Sequence, residues 1–121
     1  MRVFKNTSFA RFARKEGITD DELKEVVNLL EGCRADADLG GGVYKVRIAR
    51  PGEGKSGGFR TIVFFRSGER TFFVYGFAKS DRGNIDQGEL RAFKAGARVD
   101  LSLTDGQIGN RLKNGTLIEV P

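Results

Sequence analysis

Two apolar runs constrain this chain more than any other feature. Gly58 to Arg66 and Thr71 to Phe77 are nearly continuous in hydrophobic residues, and Ser67-Gly68-Glu69 forms the tight connection between them. Runs of this kind suit interior strands covered on both faces, and a short glycine-bearing link suits an antiparallel hairpin. Upstream, Val43 to Ala49 alternates, with Tyr44, Val46 and Ile48 pointing one way and Lys45 and Arg47 the other. Met1 to Lys5 reads as a short first strand and Thr116 to Val120 as a terminal one.

Helix starts are written in caps. Thr19 and Glu22 make a capping box, with Ile18 and Leu23 at the two staple positions. Leu23, Val26, Val27 and Leu30 form the apolar stripe, and Gly32 ends the helix. The same spacing recurs at Asp86 and Glu89, flanked by Ile85 and Leu90, for a helix to about Ala97. It recurs again at Thr104 and Gln107, flanked by Leu103 and Ile108, for a shorter helix containing Gly106 and Gly109. An earlier helix, capped by Thr7 and starting near Ser8, buries Phe9, Phe12 and Ala13 and ends at Gly17. The expectation is one α+β domain: a small, largely antiparallel sheet with the N-terminal helices packed on one face, and a C-terminal helix.

Composition limits the chemistry. With 39% hydrophobic and 31% charged residues the chain is globular, and its ten Phe build the core. No apolar run is long enough to cross a bilayer, and the first residues read as a strand, so the expected location is the cytoplasm, away from membranes. The chain has no His, which excludes Ser-His-Asp and Cys-His devices and His-ligated metals. Its single Cys33 forms no internal disulfide and no Cys-rich metal site. No metal and no cofactor is expected.

Charge is concentrated. Nine of the 21 basic residues lie between Val43 and Arg82, against only Glu53, Glu69 and Asp81, so this stretch carries +6 while the whole chain carries +5. Positive charge confined to a sheet makes a rigid face for a polyanion, and the commonest is nucleic acid. Lys45 and Arg47 share a strand face about 7 Å apart, near the spacing of consecutive phosphates, on the order of 6–7 Å. Arg60 sits inside the run Phe59 to Phe65, where a lone charge is costly unless paired or set in a cleft. Lys79 follows Phe77 at a strand end, on the face expected for Phe73, Tyr75 and Phe77, and Asp81-Arg82 leads toward the next helix.

The segment Arg50 to Gly58 holds four glycines with Lys55 and Ser56. Glycines let backbone N–H groups approach a phosphate, and Arg50, Lys55 and Ser56 add donors for one. A triphosphate P-loop is rejected: Ala49 stands at the first glycine position, and the loop opens a strand instead of a helix.

Three segments together carry a likeness. Leu39 to Arg47, Gly54-Lys55-Ser56-Gly57-Gly58-Phe59-Arg60, and Tyr75 to Ile85 resemble the RelE/ParE superfamily of bacterial type II toxins, closest to the HigB-like branch with a Gly-Lys-Ser-Gly-Gly loop. The resemblance spans about Arg2 to Ala97, giving a toxin domain over 1–97 and a C-terminal extension over 98–121 packed on it. It implies a metal-independent endoribonuclease that cuts messenger RNA on the ribosome and is neutralised by a cognate antitoxin. In this branch the antitoxin is commonly of the helix-turn-helix type, so DNA is contacted only through it. Carried over residue by residue, the catalytic set is Lys45, Arg47, Arg60, Lys79 and Arg82. Lys45 is the candidate base, with Lys79 in reserve, and Arg60 is first choice for the charge on the phosphate. Two departures stand out. Ser80 replaces the arginine that several relatives carry after the lysine, and the helix from Asp86 has Phe93 but no tyrosine. A non-catalytic nucleic-acid binder and a ParE-like gyrase poison are the alternatives.

Overall fold

The computed structural model describes residues 1–50 and 54–121, with the side chains of Arg50, Lys55 and Ser56 outside the described set. The chain runs β1 (Arg2–Asn6), α1 (Thr7–Glu16), α2 (Asp20–Glu31), β2 (Ala37–Gly40), β3 (Val43–Arg50), β4 (Gly54–Arg66), β5 (Arg70–Ala78), α3 (Gln87–Asp100), α4 (Asp105–Lys113) and β6 (Leu117–Val120). Six strands form one sheet in the order β2-β3-β4-β5-β1-β6. The two apolar runs become its central strands, β4 and β5, paired antiparallel through the turn at Gly68. β1 lies parallel to β5, and every other pairing is antiparallel. This is the expected α+β architecture.

The caps form as their spacing dictates. Thr19, Asp86 and Thr104 each close a complete capping box with Glu22, Glu89 and Gln107. The first helix differs by one residue. Asn6, not Thr7, is its cap, accepting from the Phe9 N–H at 2.8 Å. α3 runs on to Asp100 because Phe93, Ala97 and Leu101 continue one inward stripe at four-residue spacing. β2 carries no apolar alternation. It forms through its backbone against β3, and Asp36 N–H extends the pairing by donating to the Lys45 carbonyl at 3.0 Å.

Both faces of the sheet are covered, which explains why the central strands show so little polar alternation. α1 and α2 bury Phe9, Leu23, Val26 and Leu30 against Val46, Phe59, Val63 and Phe73. The C-terminal helices take the opposite face, where Ala97, Leu101 and Ile108 meet Phe4, Val43, Ile62, Phe64 and Phe72. Each such side chain withdrawn from water contributes roughly 1.5–3 kcal/mol. Without the C-terminal helices this second cluster would lie in water. β6 pairs with β1 and buries Leu117 and Val120, so the tail completes the sheet edge. Among the described residues, no helix is long and apolar enough to cross a membrane.

One irregularity in β5 decides which way the second half of that strand faces. Ile62 pairs with Tyr75 but Val63 pairs with Phe73, so Val74 is an extra residue in β5. A bulge shifts side-chain alternation by one position. Phe73 therefore packs against α1, while Val74 and Tyr75 both join the opposite cluster. Simple alternation along the sequence places Phe73, Tyr75 and Phe77 on one face. The bulge separates Phe73 from the other two. Gly76 then faces Phe12, and a Cβ there would collide with that ring. The Val74 carbonyl is satisfied by the Asn6 side-chain N–H at 3.0 Å. Asn6 thus caps α1 with its oxygen and holds the bulge with its nitrogen. Asn6→Ala is expected to lose both contacts and roughly 1–3 kcal/mol of stability in urea unfolding. Asn6→Asp, which keeps the cap acceptor and removes only the donor to Val74, should lose less; equal losses would show that the cap contributes nothing, and no loss in Asn6→Asp that the Val74 contact contributes nothing.

Candidate functional site

Register decides which charges meet. Across the sheet Arg47 lies opposite Arg60, and Arg60 opposite Phe77; one step along, Lys45 lies opposite Ile62, and Ile62 opposite Tyr75. Directly opposed residues share a face, and Ile62 belongs to the α3/α4 side. Lys45, Arg47, Arg60, Tyr75 and Phe77 therefore sit together on that side, beyond the end of its apolar cluster. Lys79 prolongs the ladder, its N–H donating to the Gly58 carbonyl at 3.1 Å. β5 ends at Ala78, and Lys79 opens the turn that the Asp81 and Arg82 N–H groups close on the Ala78 carbonyl. Lys79 is exposed.

The cations are held differently. Arg60 is the floor of the group, 4% exposed and engaged in an interaction. Arg47 has its Nε buried without a hydrogen-bond acceptor, with Asp36 at 3.8 Å, while its side chain as a whole is 42% exposed. Asp36 uses its other oxygen on the Arg47 backbone N–H, at 2.6 Å. Lys45 Nζ stands 3.5 Å from the Asn84 side-chain oxygen, so the segment between β5 and α3 reaches across to β3.

Arg82 is the most constrained. Its guanidinium makes a two-pronged pair with Glu89, at 2.9 and 2.5 Å, and donates to the Tyr75 hydroxyl at 3.1 Å and to the Asn84 carbonyl at 3.0 Å. Its plane also lies over the Phe77 ring, 5.4 Å from the centroid. The Tyr75 ring is flanked by Phe77 at 5.8 Å and Phe93 at 5.7 Å. The acid that takes Arg82 is the capping-box residue of α3, not the neighbouring Asp81.

The chain matches the family described as the RelE toxin of the RelE / RelB toxin-antitoxin system, over residues 1–120. It belongs to the RelE toxin family. That membership makes it the toxin half of a toxin-antitoxin pair and gives it an antitoxin as partner. No curated protein matches it.

Of the residues singled out in the toxin's sequence, the fold gathers Lys45, Arg47, Arg60 and Arg82 at one end of one sheet face, with Lys79 following the end of β5. The side chains of Arg50, Lys55 and Ser56 lie outside the described set. Sequence reasoning missed Tyr75, Asn84, Glu89 and Asp36 as members of the site. Glu89 was visible only as a cap, although seven residues from Arg82 across a turn is short enough for an ion pair. Tyr75 was hidden by the bulge, which no residue pattern announces. Among the described residues, no group of three or more Cys, Asp or Glu side chains is placed to hold a metal ion.

Glu89 reports on this arrangement. The Arg82 fork, then the Asp86 N–H, stabilise its carboxylate and lower its pKa from the ordinary 4.5 to about 2. The same pair pushes Arg82 above its ordinary value, through Glu89 first and Tyr75 second. A carboxylate whose folded pKa is depressed adds stability that is present in full above pH 4.5 and is lost as pH falls toward 2. Carbon-detected NMR titration should find Glu89 ionising near pH 2 in the native toxin, and clearly higher in Arg82→Gln, where of the two only the Asp86 N–H still favours the carboxylate. An ordinary value in the native protein would contradict the pairing.

Proposed function

We propose that this toxin is an endoribonuclease of the HigB-like branch that cuts messenger RNA at the ribosome. The observation that carries the reading is the register that sets Lys45, Arg47 and Arg60 side by side on one face, with the Lys79 backbone bonded to Gly58 at the strand end. The Gly-Lys-Ser-Gly-Gly motif supports the branch.

In the proposed reaction the ribose 2′-oxygen attacks the adjacent phosphorus and loses its proton to a base. The bond from phosphorus to the 5′-oxygen breaks, and that oxygen takes a proton. The products are a 2′,3′-cyclic phosphate and a 5′-hydroxyl end. Lys45 is the proposed base, with Lys79 in reserve. Negative charge gathers on the two nonbridging oxygens as the attack proceeds. Arg47, whose side chain is 42% exposed although its Nε is buried, can bond one of them through its outer guanidinium nitrogens. Arg60 adds positive charge from below, where water is scarce and the field of a fixed cation is strongest. Arg82 has its charge matched by Glu89, so its part is to position: it fixes the Tyr75 hydroxyl and covers Phe77. Tyr75 thereby brings from β5 the hydroxyl that α3 lacks.

The reading needs no metal, since the cations come from the chain. It also suits a ribosome-dependent enzyme, because a site without His is a weak acid-base catalyst until its substrate is held in the reactive geometry. A helix-turn-helix antitoxin, contacting DNA on the toxin's behalf, is the proposed partner. An acidic or amphipathic segment of it laid on the cationic face would block RNA and be captured rapidly.

Purified toxin added to translating ribosomes should cut message, with 5′-hydroxyl ends, in the presence of EDTA. Lys45→Gln and Arg60→Gln should each reduce the cleavage rate by about 10²–10³, with the folded far-ultraviolet spectrum retained. Bound but uncut message would favour the non-catalytic binder. Arrest of replication with translation intact would favour a gyrase poison.

A further inference from the structure

A second cationic group lies at the far end of the same sheet face. Arg66 on β4 and Lys94 and Arg98 on α3 line a pocket of about 310 Å³ whose other walls are Gly41, Ala97, Leu101 and Ser102. Three cations and no acid line it. Arg66 is fixed by donating to the Leu101 carbonyl at 3.1 Å, with Glu69 at 3.8 Å from its Nε outside the pocket. Lys94 and Arg98 have no ion pair or hydrogen bond among the described residues, as is true of several exposed cations elsewhere; what sets them apart is that they share one concavity with Arg66. Arg91 continues their row one turn earlier on the helix, exposed to solvent.

The glycine turn before β3 shapes the opening. Gly40 and Gly41 both have positive φ, +89° and +65°, and a Cβ on either would lie against the Lys94 side chain at 3.4–3.7 Å. All three glycines of the turn, Gly40, Gly41 and Gly42, hold a positive φ that side chains rarely adopt, and at Gly42 a Cβ would also stand 2.6 Å from Leu101, so the turn runs beside Lys94 with no side chain of its own there.

Position connects the two groups. Arg60 and Arg66 are six residues apart on β4, so they point to the same face about 20 Å apart. At about 6–7 Å per nucleotide that is roughly three phosphates along a strand. We infer that the Arg66–Lys94–Arg98 pocket binds a backbone phosphate of the same nucleic-acid strand about three nucleotides from the scissile bond, so that the toxin grips its RNA at two separated points. This rests on the reading of the Lys45 face as an RNA site, but it concerns binding and needs no cleavage.

The test uses RNA carrying 2′-O-methyl groups throughout, which cannot be cut, in two lengths: a dinucleotide that reaches one group only and a twelve-nucleotide strand that spans both. For Lys94→Gln/Arg98→Gln, two side chains clear of the core, affinity for the long strand should fall about tenfold. The slope of log affinity against log salt should lessen by about 0.7, the value for one phosphate contact on single-stranded RNA. Affinity for the dinucleotide should be unchanged. Unaltered binding of the long strand, or an equal loss for both lengths, would overturn the second grip. Inorganic phosphate as competitor separates sources: millimolar phosphate that erases the wild-type advantage on the long strand would mark a free-anion pocket and overturn the backbone assignment. Failure of message cleavage on ribosomes would remove the nuclease reading while leaving these binding results intact.

Discussion

The side chains of β3 and β4 and the end of β5 share a surface because β5 carries one residue more than its partner. Without Val74 as an extra residue, Tyr75 and Phe77 would turn toward α1, where Phe12 leaves room for Gly76 only. The strand end that leads to Lys79 and Arg82 would leave the cationic face with them. Asn6 holds this shift by meeting the Val74 carbonyl, and the same side chain begins α1. A cap at one end of the first helix and the composition of a site two strands away are therefore one local solution.

Around that constraint the charges divide into two kinds. Arg82 is neutralised, locked by Glu89 and committed to holding Tyr75 and Phe77. Lys45, Lys79 and much of Arg47 stay available to an anion. Arg60 lies beneath them, nearly out of water. A buried charge of this kind costs several kcal/mol unless its surroundings compensate, and Arg60 is engaged in an interaction while its register keeps it on the face of Arg47 and Phe77. Membership in the RelE toxin family agrees with such a face, and the cleavage chemistry proposed for it follows from how these groups are oriented.

Much of the fold was legible in the residues because it is governed by local rules. Capping boxes at Thr19, Asp86 and Thr104 need only four residues each, and the hairpin around Gly68 needs its turn. The alternation of Val43 to Ala49 was enough to put Lys45 and Arg47 on one face. What escaped depends on contacts far apart in sequence. β2 exists only because β3 offers a backbone edge. Placement of α3 and α4 on the second face follows from the need to cover Ile62, Phe64 and Phe72, which periodicity does not assign to a particular helix. The Val74 bulge and the Arg82–Glu89 pair emerge only once β5 and α3 are docked.

The central claim is that one sheet face binds an RNA phosphodiester through Lys45 and Arg47 above a buried Arg60. An experimental structure of the toxin with a strand blocked by a single 2′-O-methyl group at the cleavage position tests it directly. The phosphate beside that group should lie within hydrogen-bond reach of Arg47, with the Tyr75 hydroxyl on the same side. A phosphate bound on the α1/α2 face, or at a distance from all three cations, would contradict it.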